Sequence, residues 1–431
     1  MFNALLIIIA IVLSIGLGEK FNVNTGFIAA AFAYVIGCFV LGMKVSEVLA
    51  TWPTKLFMVI FAISLFFNFA VCNGTLNKIA SMLLYKFRNQ QLILPLVLYF
   101  ATALVSGMGA AFFTSVAVMG AVAMALCHES NIDRMQASMA VTLGALSGAN
   151  FMVSAHGVLF NALLSQTDVA AQAGEITQDI FIVSFIYPIF VIGYMIWAGH
   201  KNFVAGDLKM EKPEPFTPKQ KTNLVLILIF MLVVLVVPML GQFIDNETLD
   251  FVADHIDVSF LALIFAIVAY FLKLAPDSKE VMAKVPWDTI WLVGGVGMLI
   301  DVAVEAGAID MLASLITTIP APLVAVCVCA IAGIMSIFSS TLGVVAPLMF
   351  PMIAGISAAS GLSAPLIGVS IIIGSQSTSV APFSTGGSLI LGSSGLEGEE
   401  QNKFYNELLF KATPLGLVFA MVCSALLTFI L

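Results

Sequence analysis

Leu104-Val-Ser106-Gly107-Met-Gly109-Ala-Ala-Phe-Phe-Thr114-Ser115, followed by Ser147-Gly148-Ala-Asn150-Phe-Met-Val-Ser154-Ala-His156-Gly157, interrupts apolar sequence with glycines and small polar residues. About 230 residues later the pattern returns. There it reads Ile331-Ala-Gly333-Ile-Met-Ser336-Ile-Phe-Ser339-Ser340-Thr341, then Gly374-Ser375-Gln376-Ser377-Thr378-Ser379-Val-Ala-Pro382-Phe-Ser384-Thr385-Gly386-Gly387. Such residues have no cheap place in hydrocarbon unless they line a site. Paired interruptions in two halves of a membrane protein point to a transporter's binding site.

The surrounding sequence supplies the membrane. The chain is 61% hydrophobic and 10% charged, with mean hydropathy +1.08, well beyond the apolar share of soluble domains. Runs of about twenty apolar residues recur along its length, which reads as a polytopic all-α membrane protein. Backbone groups in lipid must be satisfied internally, and a β-barrel would show short alternating segments instead. The first run lacks a basic leader and is followed at once by a second, so it is expected to be a helix rather than a signal peptide. The six cysteines fall in apolar segments and read as small core residues. The net charge of −8 and the lack of a basic patch give no reason to expect nucleic acid.

Expected spans are 1–17, 25–43, 56–73, a re-entrant hairpin 92–127, a broken helix 135–164 and 179–199. The second set is 223–243, 258–274, 287–305, a hairpin 322–358, a broken helix 364–394 and 405–431. Amphipathic segments at 75–90 and 307–318 precede the hairpins. The one long polar linker, 201–222, carries five lysines and is expected in the cytoplasm. Working outward from it puts 15 of 17 basic residues on that side, Lys44 and Lys55 excepted. The two hairpins then enter from opposite faces, so the halves are inverted. Residue matches support a repeat: at an offset of 233 Pro53 meets Pro286, Asn68 meets Asp301, Gly74 meets Gly307, Asn77 meets Asp310, and Ala80-Ser81 meets Ala313-Ser314. At 227 Pro95 meets Pro322, Met108 meets Met335 and Thr114 meets Thr341.

Hairpin tips and broken helices free backbone groups near the membrane midplane. Half-helix N-termini attract anions and unwound carbonyls hold cations. Hydroxyls add donors and acceptors, and glycine allows close approach. Both arginines, Arg88 and Arg134, sit at the cytoplasmic edge, and no Lys, Asp or Glu lies in the four interrupted segments. An anion would therefore be held by hydroxyls, amides, helix ends and bound cations. His156 is the one titratable intramembrane group there, so Na+ coupling is favoured over H+ coupling. The expected substrate contacts are Thr114, Ser115, Asn150, Ser154, His156 and Gly157 in the first half. In the second half they are Ser340, Thr341, Ser384, Thr385 and Gly386. Ser339, Thr341, Ser377 and Thr378 are the candidate Na+ ligands. His156 could instead bond a backbone carbonyl, and Asn68 and Asp301 read better as structural or interfacial than as a site pair. No enzyme motif competes: His128-Glu129-Ser-Asn-Ile132 lacks the second zinc histidine, and no phosphate-binding loop is present.

Together these features resemble the ion transporter superfamily, which includes the divalent anion–sodium symporters and the malonate/dicarboxylate carriers, the latter branch being nearer. The resemblance spans nearly the whole chain, mainly through architecture. In that superfamily each hairpin carries a Ser-Asn-Thr tip. Ser339-Ser340-Thr341 matches it with Ser at the centre, while Phe112-Phe113-Thr114 keeps only the Thr. Ser377-Thr378 and Pro382-Phe-Ser384-Thr385-Gly386 fit the second break. His156 stands where Thr or Pro is usual in the first. The resemblance implies a first inverted repeat 1–200, with scaffold helices 1–90 and transport elements 91–165. After the 201–222 linker it implies a second repeat 223–431, with scaffold helices 223–318, transport elements 320–395 and a terminal helix 405–431. It also implies a homodimer, elevator-type motion, Na+-coupled uptake of a small di- or tricarboxylate and, with the cytoplasmic linker, the inner membrane. Rival readings are a cation/proton antiporter or H+-coupled or exchange carrier of the same superfamily, a passive anion channel, and a membrane scaffold.

Overall fold

The computed structural model describes residues 2–21, 23–110, 112–130, 132–200, 211–243, 251, 255–306, 320–337 and 340–431. All regular secondary structure among them is helical. The first half runs through Phe2–Phe21, Thr25–Phe39, a short Val45–Ala50, Thr54–Cys72 and the amphipathic Thr75–Phe87. A hairpin follows, Leu94–Val105 and Phe112–Ser130, then a broken helix, Arg134–Ala149 and Ala155–Leu164, then Ala173–Gly199. The second half repeats the order: Pro218–Phe243, Val258–Phe271, Ser278–Ala283, Trp287–Glu305, a hairpin of Ala321–Ile337 and Thr341–Ser360, a broken helix of Ala364–Ser377 and Thr385–Ser393. It closes with Gly398–Glu407 and Thr413–Leu427.

The repeat is visible in how helices start. Asn24 accepts a hydrogen bond from the Gly26 N–H, and Asp257, 233 positions on, accepts from Ser259 and Phe260 N–H. Pro53 and Pro286 open their helices with nearly the same backbone, φ −76° ψ 75° and φ −78° ψ 70°. The short helices Val45–Ala50 and Ser278–Ala283, which hydropathy did not flag, sit at the same offset. Of the other matches at 233, those to Gly307, Asp310, Ala313 and Ser314 lie outside the described residues, as does the expected segment 307–318.

Each half has the same order of elements, a short helix and a proline-opened helix before a hairpin and a broken helix, which makes two structural repeats. The first hairpin folds back on itself at Ser106–Ala110, and both of its arms pack on the first half of the broken helix, Arg134–Ala149.

The repeats are interlocked. Thr25–Phe39 of the first packs on Trp287–Glu305 of the second, and Val258–Phe271 of the second packs on Thr54–Cys72 of the first. The buried seams are alike: Gly26, Ala29 and Ala33 in one, Ser259, Ala262 and Ala266 in the other. Small residues at helical spacing let backbones approach without a hydrophobic drive from lipid. Asn68 is buried and donates to the Val281 carbonyl at 3.1 Å, a structural role. Its repeat partner Asp301 lines a cleft of 290 Å³ between Trp287–Glu305 and the second hairpin.

Helix Pro218–Phe243 starts five residues before the expected 223, so the expected linker 201–222 ends in helix; two further boundaries differ from hydropathy. Ala173–Gly199 starts six residues before the expected 179, because Glu175 and Asp179 on its first turns are too polar for a hydropathy window. The expected terminal helix at 405 is preceded by Gly398–Glu407, whose charged face hides its continuity with Thr413–Leu427 through the turn Leu408–Ala412.

Candidate functional site

Each broken helix is wedged against its own hairpin. A Cβ on Gly148 would lie 2.0 Å from the Ala103 carbonyl oxygen, and one on Gly374 would lie 2.1 Å from that of Cys329. Both pairs are 226 apart, so the contact register is 226 rather than the 227 read from the hairpin sequences. At 226, Thr341 corresponds to Ser115. The first hairpin turns through Ser106–Ala110, where Gly109 takes φ 97°, a backbone that L side chains rarely adopt. Hydroxyls tie tip to break in both halves: Ser154 Oγ donates to the Gly107 carbonyl at 2.6 Å, and Thr378 Oγ1 donates to the Gly333 carbonyl at 2.9 Å. Ser106 Oγ adds a bond to the Ala145 carbonyl at 2.7 Å.

The breaks meet through a reciprocal amide pair. Asn150 Nδ2 donates to Gln376 Oε1 at 2.8 Å, and Gln376 Nε2 donates to Asn150 Oδ1 at 2.9 Å. Asn150 also donates to Ser184 Oγ at 2.9 Å. These two residues are again 226 apart, which places the pair where the repeats face one another. Both side chains are buried, so each amide supplies what the other would lack.

Both second half-helices begin on serine. Ser384 takes the Gly387 N–H at 3.1 Å and donates to the Ser379 and Ala381 carbonyls at 2.6 and 2.8 Å. Ser154 has no capping bond, its hydroxyl being turned to the hairpin tip. Three residues after each serine comes a glycine held against the break: a Cβ on Gly157 would lie 2.2 Å from the Phe151 oxygen, and one on Gly387 would lie 2.0 Å from that of Ala381. The residue between differs: His156 in the first half, Gly386 in the second.

Where tips and breaks converge lies a cavity of 30 Å³ lined by both halves. His156, Ser340, Thr341, Ser384, Thr385 and Gly386, all expected site residues, line it together. None of its lining residues is charged. The volume holds about two waters, less than a three-carbon dicarboxylate occupies. Four buried side chains at the hairpins and breaks hold an atom with no hydrogen-bond partner among the described residues: Ser115 Oγ, Thr142 Oγ1, His156 Nδ1 and Thr341 Oγ1. Leaving such a group unpaired costs about 1–3 kcal/mol.

The other expected residues stand behind or beside the cavity. Asn150, Ser154 and Gly157 build the first break. Ser377 donates to the Gly374 carbonyl at 2.6 Å, and Thr378 reaches Gly333. Ser115 is buried in the first hairpin's second arm, with the partly exposed Thr114 beside it. Of the candidate Na+ ligands, Ser339 lies outside the described residues. Thr341 offers a free oxygen, and Ser377 and Thr378 keep lone pairs while donating, a hard oxygen set of the kind an alkali cation takes. No group of three or more His, Cys, Asp or Glu able to hold a metal occurs among the described residues. Sequence reasoning missed Leu146, Ser336, Leu342 and Ser379 in the lining, and Phe112 and Phe113 as its aromatic wall. It also missed Gln376, which an offset of 226 would have paired with Asn150.

Interlocked repeats, each with a hairpin and a broken helix, meet at a shared polar cavity in a polytopic membrane protein. Residues 1–149 match the family model described as dicarboxylate carrier protein MatC N-terminus. The fold is similar to that of the Alcanivorax borkumensis YdaH transporter, at TM-score 0.54 and 15% identity over 89% of this chain and 87% of that one. It is also similar to Neisseria gonorrhoeae MtrF, of a class of antimetabolite efflux pumps, at TM-score 0.56 and 13% identity over 100% of this chain and 95% of that one. At these identities the likeness is one of fold. No curated protein matches the chain in sequence. The family model thus covers about the first third of the chain, and the fold is shared with these two transporters.

Proposed function

We propose that this protein is a secondary active carrier that takes up a small di- or tricarboxylate, with Na+ as the coupling ion. The observation that carries the reading is the cavity between the hairpin tips and half-helix starts. It is rich in hydroxyls, reached from both repeats and free of charged side chains. A carboxylate there would meet Ser340, Thr341, Ser384 and Thr385 and the N-terminal turn of Thr385–Ser393, whose dipole favours an anion. The lack of a fixed cation leaves a role for a bound one, for which Thr341, Ser377, Thr378 and Ser339 are the ligands we name.

A cavity of 30 Å³ is smaller than the proposed ligand, so in this reading the carrier opens its site by moving one part against another rather than acting as a standing pore. The hairpins and broken helices are the moving unit in this reading. The helices before each hairpin form the scaffold and, as the superfamily resemblance implies, the contact of a homodimer. The membrane is the inner membrane, with 201–222 in the cytoplasm. Proteoliposome uptake tests the reading. An inward Na+ gradient should accumulate labelled malonate, succinate or citrate above equilibrium. Equilibration without accumulation would leave a channel or passive exchanger, and accumulation indifferent to Na+ would remove the coupling ion.

A further inference from the structure

The two breaks present different groups to the cavity: His156 from the first, and Thr385 and Gly386 from the second. Position three of the first break's serine-to-glycine turn is His156, while its equivalent is Gly386. His156 is 4% exposed, and its Nδ1 has no partner among the described residues. Its ring lies 6.1 Å from Phe112 and 5.9 Å from Phe160, centroid to centroid. It lines the same cavity as Thr341, Ser384 and Thr385. The lining thus combines hydroxyls and a half-helix start with an imidazole set among aromatic rings. A bare carboxylate against that apolar wall would be penalised for lost hydration. A single proton between carboxyl and imidazole removes the penalty and gives the orphan nitrogen its partner.

We propose that the site binds its dicarboxylate together with one proton, held between one carboxyl group and the His156 imidazole, and that His156 sets this requirement. The inference rests on the carboxylate reading and adds a proton-linked specificity to it. The proton comes from solution on binding and returns to it on release, with no other bond made or broken. Whether it sits on oxygen or nitrogen does not alter the composition of the bound state.

No other titratable group lines the cavity. Of the elements packed on Ala155–Leu164, Thr54–Cys72 carries Lys55 and Cys72 at its ends, and Arg134–Ala149 carries Arg134 at its first position. Ala173–Gly199 carries Glu175, Asp179, Tyr187 and Tyr194, and the second hairpin's return arm carries no titratable residue.

The test is calorimetric titration of malonate and succinate into the purified full-length protein, at saturating Na+, in buffers of different ionisation enthalpy. Wild-type protein should take up about one proton per ligand, and Kd should rise about tenfold from pH 7 to pH 8, where free imidazole and free dicarboxylate are both deprotonated. His156→Gln keeps a hydrogen-bonding group that does not titrate. It should bind more weakly, with proton uptake near zero and a flat pH profile. His128→Gln, at the far end of the hairpin arm, should keep the wild-type proton uptake. Wild-type binding without proton uptake overturns the proposal and leaves the carboxylate reading standing. Uptake retained in His156→Gln also overturns it. Binding of neither acid overturns both. The wild-type measurement decides the matter even if the His156 variant does not fold.

Discussion

The two breaks are built alike and furnished differently. Each has a serine opening the second half-helix, a glycine three residues on that lies against the break's own carbonyls, and a glycine in the first half-helix that lies against the hairpin. Those residues make the interruption. What differs is how the serine is used and what stands before the second glycine. Ser384 caps its own helix, while Ser154 holds the hairpin tip. Gly386 leaves backbone at the cavity, and His156 fills it with an imidazole. Positions that hold the break are thus repeated, and positions that face the cavity have diverged. That is the pattern expected if one asymmetric ligand is read by two related half-sites.

The largest effects should come from the shared positions, and they should be equal in the two halves. Gly148→Val and Gly374→Val each drive a side chain into a backbone carbonyl, at 2.0 and 2.1 Å already for the Cβ. Neither carbonyl can yield without moving a hairpin arm, so both variants should fail to give a monodisperse peak in size-exclusion chromatography. One surviving while the other collapses would break the equivalence of the halves. Next come hydroxyls without partners, where stability and activity should part. Thr341→Val removes an unpaired buried oxygen, so the melting temperature should hold or rise. Carboxylate uptake should nevertheless fall by about tenfold or more, since one hydrogen bond to a charged ligand contributes about 1.5–3 kcal/mol. Ser115→Ala, at the matching position but outside the cavity lining, should leave stability alike and cost uptake less. Equal losses would mean that the hydroxyls act as a repeat-related pair.

Much of this was legible in the sequence for physical reasons. Apolar runs and their breaks report the cost of polar groups in lipid, so the spans, hairpins and broken helices fall within a few residues of their expected places. Pro53 and Pro286 fix their own backbone and marked the repeat. Side-chain register was harder to read. Pro95, Met108 and Thr114 suggested 227, but the wedge of Gly148 against Ala103 and of Gly374 against Cys329 sets 226. Linear matching could not tell these apart, because hairpin turns absorb a residue without changing composition. Asn150 and Gln376 are not matched at 227 for that reason, and the Gln side chain is one methylene longer than the Asn one. The cavity's apolar wall was missed because Phe112, Phe113 and Leu146 look like any membrane-helix residues until the half-helices bring them beside His156.

The amide pair tests whether the halves are joined at that point. Asn150→Leu or Gln376→Leu leaves a buried amide without its partner, a loss of about 1–3 kcal/mol each. The double variant should cost less than the sum, with a coupling of about 1 kcal/mol or more by thermal or denaturant unfolding. Additive effects would mean that the two breaks are stabilised separately.

The smallest effect belongs to a contact the second half does not copy. Arg134, at the start of the first broken helix, lies 3.6 Å from Glu400 on Gly398–Glu407, with side chains 41% and 70% exposed. The second broken helix starts instead on Ser363, whose hydroxyl accepts from the Leu366 N–H at 3.2 Å. The first already has the equivalent cap in Asp133, which accepts from the Gln136 N–H at 2.9 Å. The ion pair is therefore an addition to a start that is complete without it, and water and salt screen it. Glu400→Gln should shift stability by about 0.5 kcal/mol or less and leave uptake within a factor of about two. A larger loss of uptake with unchanged stability would show that the bridge holds the first broken helix in one transport conformation, an asymmetry that the caps and glycines do not reveal.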